Sequence, residues 1–149
     1  MDNKQSILVL CTGNSARSQM AEGLIRHICK DAYDVFSAGT EPSKVRPEAI
    51  QAMAEKGIDI AGHRSKSVDE FTSRKIDYVL TVCDNAKENC PYFPASTLLV
   101  HHSFEDPAAV EGTDEERLNA FRKIRDEIEG YVPEFLERIE AESSERKRS

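Results

Sequence analysis

With 149 residues, 39% hydrophobic and 32% charged, the chain suits one compact domain spanning residues 1–149. A net charge of −7 argues against nucleic acid or an anionic membrane as partner, although backbone N–H groups and one arginine can still build a local anion site. The polar start MDNKQS and the lack of any membrane-length apolar run point to the cytoplasm, where four cysteines are catalytic, metal-bound or buried rather than disulfide-bonded.

Residues 6–11 (SILVLC) form a bounded apolar run, the pattern of a buried parallel strand. Met20, Leu24, Ile25 and Ile28 fall at helical spacing, which predicts a helix from about Arg17 to Cys29. Residues 33–37 (YDVFS) read as a second strand, closed by Ala38-Gly39. Pro47 fits the first turn of a helix that Ile50, Met53 and Ala54 continue and Gly57 stops. Val68 to Phe71 reads as a short helical turn, residues 76–83 (IDYVLTVC) as a third strand and residues 98–100 (LLV) as a fourth. Leu118, Phe121, Ile124, Ile128, Val132, Phe135, Leu136 and Ile139 trace a long amphipathic helix, with a bend expected at Pro133 and a frayed polar tail from about 141 to 149. Strands alternate with helices throughout. The expected fold is α/β, a four-stranded parallel sheet in the order 2-1-3-4 with helices on both faces.

In such a sheet ligands bind at the carboxyl ends of the strands, and Cys11 is the last residue of the first strand. The loop Thr12-Gly13-Asn14-Ser15-Ala16 is small and turn-forming; Gly13 can adopt positive φ and Asn14 tolerates the left-handed region. Bent that way, the loop aims successive N–H groups inward, and the next helix adds its positive end. The product is an oxyanion cradle with Cys11 at its base. Helix N-termini and neighbouring cations favour thiolate over thiol. Arg17 offers a planar fork to two oxygens of a tetrahedral anion, and Ser18 can donate its hydroxyl to the sulfur. A bare Cys-x5-Arg arises often by chance. The strand before it, the small turn, the helix after it and Ser18 together favour a nucleophile over a packing cysteine.

The segment Cys11 to Ser18 (CTGNSARS), followed by Gln19-Met20-Ala21-Glu22-Gly23, resembles the low-molecular-weight protein tyrosine phosphatase superfamily and, within it, the thioredoxin-coupled arsenate reductases. The likeness continues through residues 37–40 (SAGT), 63–65 (HRS), Cys83 to Cys90-Pro91 and residues 104–108 (FEDPA), nearly the whole chain. The resemblance implies that Cys11 attacks arsenate held by the 12–16 loop and Arg17. Asp106, in the matching Asp-Pro loop, is then the general acid; on sequence alone it reads equally as a turn residue before Pro107. The resemblance further implies that Cys83 attacks Cys11 to give a Cys11–Cys83 disulfide, that Cys90 attacks Cys83 to give a Cys83–Cys90 disulfide, and that thioredoxin reduces the latter. Strands one and three would be neighbours about 4.8 Å apart, so their end residues can meet after a modest loop movement. The polar stretch 84–89 (DNAKEN) is a segment able to unfold, which a Cys83–Cys90 bond, needing Cα atoms within about 7 Å, requires.

No cofactor is expected, the chain is taken as a monomer, and phosphate and sulfate are expected to compete with arsenate. Zinc on Cys83, Cys90, His101 and His102 is disfavoured by the six-residue gap between the cysteines and by adjacent histidines facing opposite ways. Cys29 reads as a small core residue. Some arsenate reductases carry a further cysteine where this chain has Ala16; the relay does not use it. Certain relatives bind potassium beside the loop, and Asn14, Glu22 and Ser37 match three of those ligands. Lys66 stands at the fourth, acidic position, so the expectation divides between its ammonium replacing the ion and an ordinary solvated surface charge. Glu22 and His63 are candidates to brace the loop. The rival reading is a low-molecular-weight tyrosine phosphatase working through a Cys11 phosphoenzyme, and a third is an anion-binding or redox-signalling module without turnover. Ala108-Ala109-Val110 after Asp106-Pro107 favours the reductase, because tyrosine phosphatases of the superfamily place aromatic residues there.

Overall fold

A computed structural model describes residues 4–84 and 97–148. Within them run β1 (Gln5–Cys11), α1 (Arg17–Cys29), β2 (Tyr33–Gly39), α2 (Pro47–Ala54), β3 (Tyr78–Thr81), β4 (Leu98–His101) and α3 (Asp114–Arg148), with 3-10 turns at Val68–Glu70 and Pro107–Ala109. The four strands are parallel in the order β2-β1-β3-β4, as the alternation of elements predicts. β1 has a neighbour on each side, so Ile7, Leu8, Val9 and Leu10 are wholly buried and an unbroken apolar run is what the position demands. The chain leaves β1 toward β2 on one side and returns to β3 on the other. That reversal of strand order opens the crevice at the end of β1, where Cys11 lies.

α1 packs on β1 and β2 and against α3, and α2 packs on α3 and α1. Gly23 makes the α1–α2 approach possible, since a Cβ there would meet the Met53 Cε at 2.9 Å and the Ile60 Cγ2 at 3.0 Å. Phe121, Ile124, Ile128, Val132, Phe135 and Ile139 bury the inner face of α3. Tyr78, fully buried on β3, donates its hydroxyl to the Ile139 carbonyl at 3.3 Å.

Two expectations need correction. Ile28 is 37% exposed, because α1 outruns the sheet it covers. β3 begins at Tyr78 and ends at Thr81, so Cys83 lies two residues beyond the strand rather than closing it. The long helix expected from the apolar spacing is α3, with Pro133 inside it removing one N–H from the ladder. Its polar last turns run to Arg148; Ala, Glu, Arg and Lys are good helix formers and no glycine or proline interrupts them there.

Arg122 and Arg125 of α3 clamp Glu55 at the end of α2. The Arg122 Nε lies 2.9 Å from Glu55 Oε1, and the Arg125 Nη1 reaches the same oxygen at 2.9 Å and the Ala52 carbonyl at 2.8 Å. The hydrogen bond from Arg122, helped by one from Arg125, holds the Glu55 carboxyl down to about 2 against the opposing effect of burial. A carboxyl depressed in the folded state stabilises above its unfolded value and loses that contribution as the pH falls toward about 2. Glu55→Gln should therefore unfold more readily than wild type in denaturant at neutral pH, and the difference should shrink between roughly pH 4.5 and 2.

Candidate active site

The turn after β1 is fixed from outside. Every carbonyl from Cys11 to Ala16 accepts a protein donor. Thr40 N–H reaches Cys11 O at 3.2 Å, Glu41 N–H reaches Thr12 O at 2.8 Å, Ser43 N–H reaches Gly13 O at 3.1 Å, Arg46 N–H reaches Ser15 O at 2.9 Å and Met20 N–H reaches Ala16 O at 2.9 Å. Gln19 Nε2 donates to Asn14 O at 3.1 Å, and the Ser65 hydroxyl adds a second donor on Gly13 O at 2.8 Å. In a trans peptide the C=O and the following N–H point opposite ways. Anchoring the five carbonyls from Thr12 to Ala16 therefore turns the N–H groups of Gly13, Asn14, Ser15, Ala16 and Arg17 to the opposite side of their peptides. α1 starts just there, with Ala16 as an N-cap that supplies no side-chain bond, so its positive end also stays available to an anion.

Positive φ falls on Asn14 (48°), which the sequence marks as tolerating the left-handed region, and not on Gly13. Asparagine tolerates that region, and its side chain is what holds it there. Wholly buried, Asn14 donates Nδ2 to Ser18 Oγ at 2.7 Å and to Ser37 Oγ at 3.0 Å, while its Oδ1 accepts from Gln19 Nε2 at 2.9 Å and Lys66 N–H at 2.9 Å. Gly13 is needed for space instead, since a Cβ would lie 3.2 Å from the Ser43 Oγ and 3.3 Å from the Ser15 Oγ. Gly39, paired with Cys11 across β1 and β2, is more constrained. Its Cβ would collide with the Thr12 carbonyl and stand 2.9 Å from the Asn14 N. Gly39→Ala should cost about 1–3 kcal/mol by overpacking. It should also weaken oxyanion binding at least tenfold, seen by melting and by arsenate protection of Cys11 from alkylation.

Cys11 is 2% exposed, and its Sγ lies 2.9 Å from the Ser18 hydroxyl. Asn14 already donates to Ser18 Oγ, which leaves the Ser18 hydrogen for the sulfur. Arg17 points one Nη1 at the Phe104 carbonyl (3.1 Å), and its Nη2 stands 3.8 Å from Asp106 Oδ2. Asp106 Oδ1 caps the Pro107–Ala109 turn through Ala108 N–H at 2.9 Å, the turn role that the sequence allows, and Oδ2 faces the arginine. The guanidinium fork of Arg17 and the carboxylate of Asp106 stand on one rim.

Beneath the loop lies a polar network that sequence reasoning saw only in part. Glu22 is buried, accepting from Ser37 Oγ at 2.5 Å and pairing with Arg26 at 2.9 Å. His63 Nδ1 donates to Gln19 Oε1 at 2.9 Å while its Nε2 stands 3.7 Å from Glu22 Oε2. Burial pushes the His63 imidazole below its ordinary range, with the Glu22 carboxylate working against it. Gln19, whose Nε2 also reaches the Arg64 carbonyl at 3.0 Å, is the residue sequence reading missed. The available signal was the placing of Ser18, Gln19 and Glu22 among the buried apolar positions of α1, where polar groups need partners.

Of the remaining thiols, Cys83 is buried, with its Sγ 3.4 Å from the Thr12 hydroxyl of the anion loop. Cys29 is half-buried against the core, and burial pushes its thiol up. Cys90 lies outside the described residues. His101 and His102 face opposite ways: His101 bonds Thr81 and Asp84, and His102 stacks on Tyr131 with ring centroids 4.0 Å apart.

Residues 6–145 match the low molecular weight phosphotyrosine protein phosphatase family. The chain belongs to this family. A curated arsenate reductase of Halalkalibacterium halodurans is 47% identical over 135 residues, covering 91% of this chain and 97% of that protein. Among solved structures, an arsenate reductase in its oxidized state superposes with a TM-score of 0.77 at 30% identity, covering 91% of this chain and 98% of the other. A thioredoxin-dependent arsenate reductase of Corynebacterium glutamicum superposes with a TM-score of 0.74 at 25% identity, covering 93% of this chain and 63% of the other. The phosphatase-family cradle, nucleophile, arginine and aspartate are therefore set in a sequence whose similar relatives include proteins named for arsenate.

Proposed function

We propose that this member of the family is an arsenate reductase that works through Cys11, Cys83 and Cys90 with thioredoxin as electron donor in the cytoplasm. The observation that carries the reading is the second sulfur. Cys83 sits against the hydroxyl of Thr12, on the anion loop itself, and phosphate hydrolysis has no use for a thiol there. The 47% identity to a named arsenate reductase points the same way.

The Cys11 thiolate attacks arsenic, forming an S–As bond as an oxygen leaves with a proton from Asp106. The loop N–H groups and Arg17 hold the remaining oxygens. Cys83 then attacks Cys11 Sγ. An S–S bond forms, the S–As bond breaks, and its electron pair stays on arsenic, which passes from As(V) to As(III) and departs as arsenite. Cys90 next attacks Cys83, releasing Cys11 as thiolate, and the Cys83–Cys90 disulfide is returned to two thiols by the external dithiol. Ser18, bonded to the Cys11 sulfur, steadies the thiolate before attack and again on release. Purified protein with arsenate and reduced thioredoxin should yield one arsenite per thioredoxin oxidised. Glutaredoxin supporting turnover where thioredoxin fails would overturn the choice of donor, and no arsenite with either would overturn the reading.

The rival is hydrolysis of an aryl phosphate, for which Cys11, Arg17 and Asp106 suffice. The short turn Pro107–Ala109 brings small alanines and no aromatic ring to the rim that would grip a phenyl group. Aryl-phosphate cleavage is accordingly a slow side reaction of the same nucleophile.

Potassium has no place in this scheme. Asn14, Ser37 and Glu22 are bonded to one another, and Asn14 Oδ1 is committed to two N–H donors. Lys66 Nζ is bonded to the Arg64 carbonyl at 3.0 Å. Burial pulls the Lys66 ammonium below its ordinary range, and Glu22 opposes that shift. The ammonium thus adds to the positive charge that Arg26, 2.9 Å from Glu22, already places beside the buried carboxylate. Turnover should be equal in potassium and sodium at matched ionic strength; a rise specific to potassium would refute the substitution.

A further inference from the structure

One polar arrangement among the described residues belongs neither to the anion cradle nor to the network beneath it. On the edge strand β4, His101 places Nδ1 2.7 Å from Thr81 Oγ1 and Nε2 3.1 Å from Asp84 Oδ1. An ionised carboxylate only accepts, so Nε2 carries the proton and donates to Asp84, and Nδ1 accepts from the Thr81 hydroxyl. Both ring nitrogens are used, and the imidazole is oriented by a buried threonine at the end of β3.

The chain around Cys83 gives this arrangement its meaning. Main-chain bonds hold β3's continuation as far as Val82, whose N–H reaches Leu10 O at 2.9 Å and whose carbonyl takes Phe104 N–H at 2.9 Å. Cys83 follows and then Asp84. Thr12 meets the sulfur on the side of the anion loop, and His101 holds the next residue from the side of β4. We propose that His101 is a positioning residue for Cys83. By tying Asp84 to β4 it fixes the backbone beyond the second sulfur, and with it the line along which that thiol meets the sulfur–arsenic bond on Cys11.

The role rests on the relay proposed above, and it concerns the step in which the Cys11–Cys83 bond forms and arsenic takes the electron pair. Displacement at sulfur needs the attacking thiolate nearly in line with the bond that breaks, and misplacing it by about 1 Å can cost about 100-fold in rate. Asp84 is 79% exposed, so its pair with His101 contributes little to global stability. Its loss should appear in the reaction and not in melting.

The test uses the full chain carrying Cys90→Ser, so that the reaction stops at the first disulfide. Formation of the Cys11–Cys83 bond is followed in a single turnover with saturating arsenate. A glutamine amide nitrogen can stand where Nε2 stands, whereas an asparagine amide reaches only to Nδ1. His101→Asn should slow the step about 10- to 100-fold, and His101→Gln should stay within about threefold of the parent. Asp84→Ala should slow it as much as His101→Asn, with no further loss when the two are combined. Melting temperature and arsenate protection of Cys11 from iodoacetamide should not change. Wild-type rates in both His101→Asn and Asp84→Ala would overturn the role; the second variant changes an exposed side chain and keeps the test decisive if the first misfolds. If the Cys90→Ser parent itself forms no Cys11–Cys83 bond, the relay falls and this role with it. A normal parent with unaffected variants removes only the role of His101.

Discussion

Arsenite yield per protein molecule should separate the three cysteines into distinct classes when each is replaced by serine. Cys11→Ser should give none and should also lose any aryl-phosphate hydrolysis, since the serine hydroxyl stays protonated where the thiol supplies a nucleophile. Cys83→Ser should give none from arsenate while keeping that hydrolysis, because Cys11, Ser18, Arg17 and Asp106 are untouched. Cys90→Ser should release a single arsenite and then stop with Cys11 and Cys83 joined. Quantifying arsenite against protein and mapping the disulfide by mass reads all three. Sustained turnover by either Cys83→Ser or Cys90→Ser with thioredoxin would remove the relay and leave a hydrolase.

Arg17→Lys should lower kcat/KM for arsenate about 100-fold, or about 2.7 kcal/mol, the usual loss for one well-placed oxyanion donor. The positive charge survives in this variant. What disappears is the fork, because Arg17 spends one nitrogen on the Phe104 carbonyl and keeps others for the anion beside Asp106. An ammonium cannot hold both places in one plane. The loss should fall on kcat as well as on KM, since the arginine also fixes the loop that carries Asp106. A change in KM alone, seen in initial rates over a range of arsenate, would reduce Arg17 to a simple charge.

The anion loop was the most legible part of the sequence because its chemistry is local. A strand end, five small residues and a helix start suffice to set it, and Cys11, Arg17 and Ser18 stand where that pattern places them. The parallel sheet followed from the alternation of elements and the bounded apolar runs, and its order matches the flavodoxin-like arrangement assumed for it. What sequence could not give was long-range polar packing. Ser65 and Ser43 act on the loop at Gly13 from far along the chain, and nothing in their neighbours announces a partner. Glu22 was legible only as a candidate, since an acid on a helix is ordinarily a solvated one. The end of β3 was misplaced for a related reason. Val82 and Cys83 continue the apolar pattern and are buried like strand residues, although the strand has ended at Thr81.

The outward anchoring of the loop carbonyls also bears on discrimination between elements. A pocket held rigid from behind offers the same inward hydrogen atoms to any tetrahedral oxyanion of matching charge, and arsenate and phosphate differ little in size. Selection then falls to the later step: arsenic accepts an electron pair from a thiol, whereas phosphorus keeps its oxidation state and must be given up again. Phosphate is thus expected to compete for the same pocket, and arsenate turnover in its presence should depend on how quickly that occupant departs.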